Sequence, residues 1–178
     1  VEQVTWYDAV MYANKLSEKE GLTNYYVITN ISKEGDRITS ATVTENSSAN
    51  GYRLPTEQQW EYAARGGNKS NNYIYAGSDE YDDVAWVDEN NETNEETSGT
   101  KAVGGKQANE LGIHDMSGNV WEWCWDWYNK DFYKQEKGDN PKGPEMGERR
   151  TVRGGSWDSQ PNYIRPANRI STFPSKTH

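Results

Sequence analysis

The sequence predicts a loop-rich domain of the α+β class. Two segments carry helical spacing behind a capping threonine, and others are rich in β-branched or aromatic residues. The remainder is polar and interrupted by glycine and proline, which is typical of ordered loops. A chain of 178 residues can bury one core without metals or disulfides, so we assign residues 1–178 to a single domain.

The first helix is predicted over residues 5–19. Thr5 is the candidate N-cap, and Gly21 supplies a stop. Apolar residues recur between them at helical spacing: Trp6, Ala9, Val10, Ala13 and Leu16. Two β-rich runs follow, at residues 25–29 and 38–44, and the polar turn between them predicts a β-hairpin.

The second helix, residues 56–65, is the best-defined local unit. It lies within the sequence GYRLPTEQQWEYAAR, where Thr56 caps the helix and Gln59 completes a capping box. Residues 68–106 are acidic and poor in apolar side chains. We therefore expect irregular structure there, with residues 90–100 as the most mobile part of the interior.

Four tryptophans alternate with other residues in WEWCWDW, residues 121–127. This period of two predicts a mostly buried strand. The rings are expected to pack the core, and a carbohydrate-binding platform is the alternative. Cys124 lies in the same run. As the single cysteine of the chain it has no internal disulfide partner, so we expect a buried, inert thiol.

Composition limits the classes of function. Only 33% of residues are hydrophobic, yet eight tryptophans and twelve tyrosines can pack a core. A net charge of −9 argues against a nucleic-acid partner, because phosphate binding needs a basic surface. The sequence shows no apolar run long enough for a direct membrane span and no targeting signal.

Residues 153–178 combine fixed backbone with varied side chains. Glycines and prolines set the path of the segment, at Gly154, Gly155, Pro161, Pro166 and Pro174. Small polar and aromatic residues lie between them, and such side chains on a rigid loop suit ligand binding. An ordinary surface loop followed by a disordered end is the other interpretation.

Three motifs together resemble the formylglycine-generating-enzyme (sulfatase-modifying factor) family over nearly the whole chain. They are GYRLPTEQQWEYAAR at residues 51–65, GIHDMSGNVWEW at residues 112–123 and VRGGSW at residues 152–157. The resemblance implies a C-type-lectin-like fold with few helices, small twisted antiparallel sheets and long ordered loops. Family domains usually have a further strand at each end, so we expect a chain cropped at both ends.

The enzymes of this family need residues that this sequence lacks. The formylglycine-generating oxidase binds copper through a cysteine pair after Gly-Gly-Ser, and residues 157–165 hold no cysteine. The related sulfoxide synthases use three histidines, whereas only His114 and His178 occur here. We therefore expect no catalysis and no required cofactor. The alternative is a degenerate or unusual formylglycine-generating-type enzyme acting on cysteine-containing sulfatase peptides.

The sequence is most similar to the variable proteins of diversity-generating retroelements, in which AAC codons are randomised at adenine. The resemblance implies that residues 153–178 vary massively to bind an unknown protein or other macromolecular ligand, at the bacterial cell surface or outside the cell. Gln160 and Lys176 are not reachable from AAC. Eleven candidate ligand-binding residues are reachable: Asp158, Ser159, Asn162, Tyr163, Ile170, Ser171, Thr172, Phe173, Ser175, Thr177 and His178.

The resemblance also implies a structural Ca²⁺ site within residues 115–122. The carboxylates of Asp115 and Glu122 and the carbonyls of Gly118 and Val120 form the hard oxygen set that calcium takes. In the alternative, Asp115 caps a turn and Glu122 pairs with an arginine.

Three arginines near the C-terminus, Arg153, Arg165 and Arg169, are expected to brace the loop through carbonyls and carboxylates. An anion-binding site is the alternative. His114 is expected to be structural, since no nucleophile or second base lies near it in the sequence.

Overall fold

A computed structural model describes residues 2–91, 98–135 and 138–177. Its helices and strands cover less than half of these residues, and they form an α+β fold as predicted. The α-helices are α1 (Trp6–Lys19), α2 (Glu57–Ala64), α3 (Tyr81–Val84) and α4 (Phe132–Gln135), with 3-10 turns at Gly67–Lys69 and Pro161–Tyr163. The strands are β1 (Tyr26–Glu34), β2 (Arg37–Glu45), β3 (Glu122–Trp127), β4 (Arg150–Arg153) and β5 (Ile170–Thr172).

Both long helices begin at the predicted threonines. The Thr5 hydroxyl accepts from the backbone N–H of Asp8, and the Asp8 carboxylate accepts from the backbone N–H of Thr5. Thr56 and Gln59 form the same reciprocal capping box at α2. These local hydrogen bonds satisfy N–H groups that have no partner inside a helix, so the sequence fixes where each helix starts.

The strands form two antiparallel sheets. β1 and β2 make the predicted hairpin, with both strands longer than expected from the β-rich runs. The second sheet has the order β3-β4-β5. Its edge strand β5 lies inside the C-terminal segment, so this part of the chain is not an ordinary loop with a disordered end.

The three-stranded sheet is covered on both faces. Arg150 lies opposite Trp127 and Thr172, and paired residues project from the same face. Val152, two residues further, projects from this face and packs with Trp6 in the largest core cluster. Thr151 and Arg153, which alternate with them in β4, project from the other face, towards α2.

Because both faces of the sheet are covered, the burial of side chains in the tryptophan strand differs from the prediction. Trp123 is buried as expected, but Trp125 and Trp127 are only half-buried. Cys124 and Asp126 between them are fully buried because they face α2 and its cluster. Burial raises the pKa of the Cys124 thiol well above its usual value, which agrees with an inert thiol.

Two expectations concern the rest of the chain. The segment predicted to be most mobile, residues 90–100, includes residues 92–97, which lie outside the described residues. Across the ranges that the structure describes, the helices are too short or too polar to cross a lipid bilayer.

Asp126 generates a pH-dependent prediction. Its carboxylate accepts the backbone N–H of Glu57 at the start of α2, at 2.8 Å. Burial raises the pKa of Asp126 from 3.8 to about 6; the Glu57 N–H lowers it and the Glu57 charge raises it further. The folded protein thus holds this proton more tightly than the unfolded chain. The stability that this bound proton contributes to the folded protein is lost as the pH rises from about 4 to about 6.

Asp126→Asn keeps an acceptor for the Glu57 N–H and removes the titration. The variant should therefore gain stability relative to wild type across this pH window, by on the order of 3 kcal/mol. Urea unfolding of both proteins at several pH values measures the difference. Parallel stability curves would contradict the assignment.

Candidate functional site

A buried carboxylate anchors the C-terminal segment. Glu57, 2% exposed, accepts from Arg153 Nη1 at 3.1 Å and from Arg169 Nε at 2.6 Å. Arg169 Nη2 donates to its second oxygen at 2.7 Å, and Thr151 lies 3.4 Å from the same atom. One side chain of α2 is thus bonded to β4 and to the residue before β5.

The bracing role expected of the arginines holds for two of the three. Arg153 is fully buried and also pairs with Glu61 at 2.7 Å. Arg165 is exposed, and its side chain makes no hydrogen bond or ion pair with the described residues. The sequence did not identify Glu57 as the shared partner, because an acidic residue in a first helical turn is already explained by the helix dipole.

The Arg153 side chain binds backbone carbonyls of the C-terminal segment. Its Nε donates to the carbonyl of Asn168 at 2.8 Å, and its Nη2 donates to the carbonyl of Pro166. The Asn168 side chain in turn donates to the carbonyl of Tyr163 at 2.7 Å. These bonds end on main-chain oxygens, so they fix the path of the loop whatever side chains it carries.

Ile164 is the buried anchor of the same loop. It is fully buried in a cluster with Val84 and Val87, and its carbonyl accepts from the Ser117 hydroxyl at 3.0 Å. Gly155 lies directly against it, with φ +82, and a Cβ there would come 2.5 Å from Ile164 Cγ2. Only glycine fits this close approach.

The structure divides the predicted ligand-binding residues by exposure. Tyr163 is 51% exposed on the 3-10 turn, and Phe173 is 39% exposed just after β5. The exposed residues of the set are Asp158, Asn162, Tyr163, Phe173 and Ser175, and the half-buried ones are Ser159, Ile170, Ser171 and Thr177. His178 lies outside the described residues.

Ile170 and Thr172 correct the expectation that these residues face solvent. Thr172 is 8% exposed because it pairs with Arg150 and projects from the inner face of the sheet. Ile170 pairs with Val152 and packs against the largest core cluster. The Thr172 side chain therefore belongs to the core, and the half-buried Ile170 packs against it.

Ser159 also has a structural task. Its hydroxyl accepts the backbone N–H of Ser156 at 3.0 Å and so closes the turn after β4. The Ser156 hydroxyl donates to the Asp158 carboxylate at 2.5 Å. Ser159 is therefore a turn residue as well as a half-buried surface position.

Two of the predicted residues share a cavity. Asp158 and Thr177 line a pocket of about 240 Å³ together with Trp121 and Trp157. Thr177 donates to Gln3 at 3.1 Å, which ties the end of the segment to the start of the chain. The two tryptophans were not predicted to border this surface, although VRGGSW placed Trp157 beside Asp158 in sequence.

Phe173 has a cationic neighbour that sequence reasoning missed. The guanidinium carbon of Arg149 lies 4.2 Å from the centroid of its ring. An exposed arginine over an aromatic face is a favourable pair, and both groups are common in binding surfaces.

The two carboxylates of the candidate calcium site have other partners in the structure. Asp115, with φ +59, accepts from the Gly104 N–H at 2.7 Å. The Glu122 carboxylate accepts from the indole N–H of Trp60, and no arginine of the described residues forms an ion pair with it, unlike in the alternative interpretation. Burial raises the pKa of Glu122 to about 7; the Trp60 indole lowers it, and the Asp115 charge raises it.

Among the described residues, no group of three or more His, Cys, Asp and Glu side chains is placed to hold a metal ion. A calcium site would therefore need the carbonyls of Gly118 and Val120 as well as the two carboxylates. This mixed oxygen set fits calcium in its chemistry. Calcium binding stays a prediction.

Known proteins are similar to this chain in sequence and in fold. The profile of the sulfatase-modifying factor enzyme 1-like domain matches residues 1–178. The chaperone protein LppX of Paenibacillus barcinonensis is 44% identical over 184 residues, covering 91% of this chain and 60% of that protein. The formylglycine-generating enzyme of Streptomyces coelicolor is 37% identical, over 71% of this chain and 44% of the enzyme.

The same likeness appears among solved structures. Treponema denticola variable protein 1 superposes with a TM-score of 0.82 at 32% identity, over 100% of this chain and 67% of that one. The chain spans 60% or less of the two curated relatives, LppX and the Streptomyces enzyme.

The contact between Gly155 and Ile164 predicts a large steric effect. Gly155→Ala should destabilise the protein more than Gly112→Ala, measured by thermal unfolding. Gly112 has φ +80 but nothing within 4 Å of its Cβ position, so it controls for backbone strain alone. Combined with Ile164→Ala, which removes Cγ2, Gly155→Ala should cost less stability than it does alone, because the atom nearest the added methyl is gone. Equal effects of the two glycine substitutions would contradict the anchoring role of Ile164.

Thermal unfolding of the protein tests calcium binding. If Asp115 and Glu122 bind the ion, calcium at ~100 times its Kd should stabilise the fold by about 2.7 kcal/mol. A chelator should lower the melting temperature, and Asp115→Asn should abolish the response. An unchanged melting temperature would leave the capped turn as the role of Asp115.

Proposed function

Since this chain belongs to the sulfatase-modifying factor enzyme 1-like family, we propose that it is a non-catalytic member that binds a macromolecular ligand. Residues 153–178 form the binding segment, and a retroelement diversifies their exposed side chains. The observation that carries the proposal is the separation between side chains that hold the backbone and side chains that project from it.

The holding side chains lie outside the exposed set. Arg153, Ser117 and Asn168 donate to main-chain carbonyls of the segment, and Ile164 fills the core beneath it. No exposed side chain takes part in these bonds, and Asp158 alone among the exposed candidates bonds to the turn after β4, through the Ser156 hydroxyl. Substitution of the other exposed residues should therefore leave the framework intact. Surface substitutions usually change stability by less than about 0.5 kcal/mol each.

The projecting side chains suit a protein ligand. Tyr163 and Phe173 offer large rings on ordered backbone, and Arg149 adds a cation beside Phe173. Aromatic and arginine side chains dominate the binding energy of most interfaces. Asp158 and Asn162 add polar groups that can hydrogen bond. The similarity to Treponema denticola variable protein 1 supports this use of the segment.

The enzymatic alternative has less support. The single cysteine, Cys124, is fully buried beside Trp60 and Met116 and its pKa is raised, so it is neither exposed nor readily ionised. Its support is the similarity to proteins named formylglycine-generating enzymes. A cysteine pair after Gly-Gly-Ser, which the resemblance assigns to copper binding, is absent from the sequence.

We place this binding outside the cell, at the bacterial surface or beyond it. The support is the resemblance to variable proteins. The acidic net charge of −9 is consistent with a protein partner and argues against nucleic acid.

Two libraries displayed on yeast test the proposal. The first randomises exposed positions of the segment: Asp158, Asn162, Tyr163, Phe173 and Ser175. The second, a matched control, randomises buried positions: Thr151, Val152, Ser156, Ile164 and Thr172. Protease resistance measures folding, and fluorescent lysozyme serves as the target protein.

Most clones of the first library should stay folded, and selection should enrich lysozyme binders. Most clones of the control library should unfold. A first library that unfolds, or that yields no binders, would overturn the binding proposal. Sequencing beside the gene tests the retroelement: we expect a near-copy of the codons for residues 153–178 that differs at adenines, and its absence would remove that part of the proposal.

A further inference from the structure

A second groove lies on the inner face of the three-stranded sheet, with a volume of about 460 Å³. It opens between the hairpin, the start of α1 and residues 142–145. Aromatic rings form much of its wall, including Trp125 and Trp127, the two half-buried tryptophans of β3. This volume lies within the range of small-molecule sites, roughly 300–1,000 Å³.

Arg150 lies at the base of this groove. It is 7% exposed, and its guanidinium carbon lies 3.9 Å from the ring centroid of Trp6 and 3.5 Å from that of Trp127. The β3-β4 register explains the second contact, since Trp127 is paired with Arg150. The guanidinium therefore lies in contact with both rings.

The edge of the guanidinium has few partners. Its Nη1 donates to the carbonyl of Trp125, but Nε is buried without a hydrogen-bond partner. Within the described ranges no carboxylate lies within ion-pair distance of Arg150. The charges of Asp126 and Glu45 interact with it only at longer range. Buried charges in proteins are normally paired, so this cation lacks its anion.

The surrounding charges select the anion. Lys142 is already paired with Glu45 at 3.0 Å, and the exposed Glu145 adds a negative charge at the rim. A dianion such as phosphate would be repelled by these carboxylates. A carboxylate carries one charge, and its planar shape matches the edge of a guanidinium.

We propose that this groove binds a small organic acid, with its carboxylate at Arg150 and an apolar body against Trp125, Trp127 and Tyr7. The apolar residues Val43 and Pro144 complete the wall around that body. This site is separate from the exposed side chains proposed to bind a macromolecule. Its test is independent of that proposal.

Phenylacetate is the probe, and phenylacetamide is its neutral counterpart of nearly the same shape. Titration into ¹⁵N-labelled protein should shift the indole N–H signals of Trp125 and Trp127. We expect phenylacetate to bind at least tenfold more tightly than phenylacetamide, and sulfate at the same ionic strength to leave these signals in place.

Two variants on one strand make a matched pair. Ala41→Glu adds a carboxylate to the groove wall and should weaken phenylacetate binding by at least tenfold, since Ala41 lines the groove. Thr44→Glu adds the same charge to the opposite, exposed face of β2 and should bind like wild type. Neither variant alters Arg150.

Three results would overturn the proposal. Equal binding of acid and amide would show that Arg150 does not recognise the ligand. Equal shifts with sulfate would show a general anion site. Absence of any shift with phenylacetate would show that Arg150 serves only the core.

Discussion

The buried carboxylate of Glu57 is the interaction on which the C-terminal half of the molecule depends. It is bonded to Arg153 and Arg169, which lie 96 and 112 residues away in sequence. Removal of one partner from such a buried pair leaves an uncompensated charge and typically costs about 3–5 kcal/mol. α2 therefore positions the sheet and the loop that follows it, in a region where regular secondary structure is short.

This arrangement explains how an irregular segment keeps one conformation. A strand of three residues and one 3-10 turn supply few hydrogen bonds of their own. Arg153 donates to two carbonyls of the segment, in place of the backbone hydrogen bonds that a longer strand would form. Because a carbonyl is common to every residue type, the framework is independent of the side chains it carries. The calcium and carboxylate sites proposed above lie on other parts of the same scaffold.

The sequence predicted what is determined locally. Thr5 and Thr56 start their helices through bonds to residues three positions away, and the β1-β2 hairpin closes over a short turn. It did not predict the partner of Arg153, since ion pairs across 96 residues leave no local pattern. The sequence also could not show which side chains of β5 face the core. The side chains of a strand alternate, so the face on which each lies depends on pairing with β4.

The inward orientation of Thr172 has a consequence for the repertoire of such a protein. If position 172 were rewritten together with its neighbours, phenylalanine and tyrosine would exceed the space available beside Arg150. A share of every generation of variants would then fail to fold before meeting any ligand. The accessible diversity is therefore smaller than the number of codon combinations, and the core acts as a filter on what can be selected.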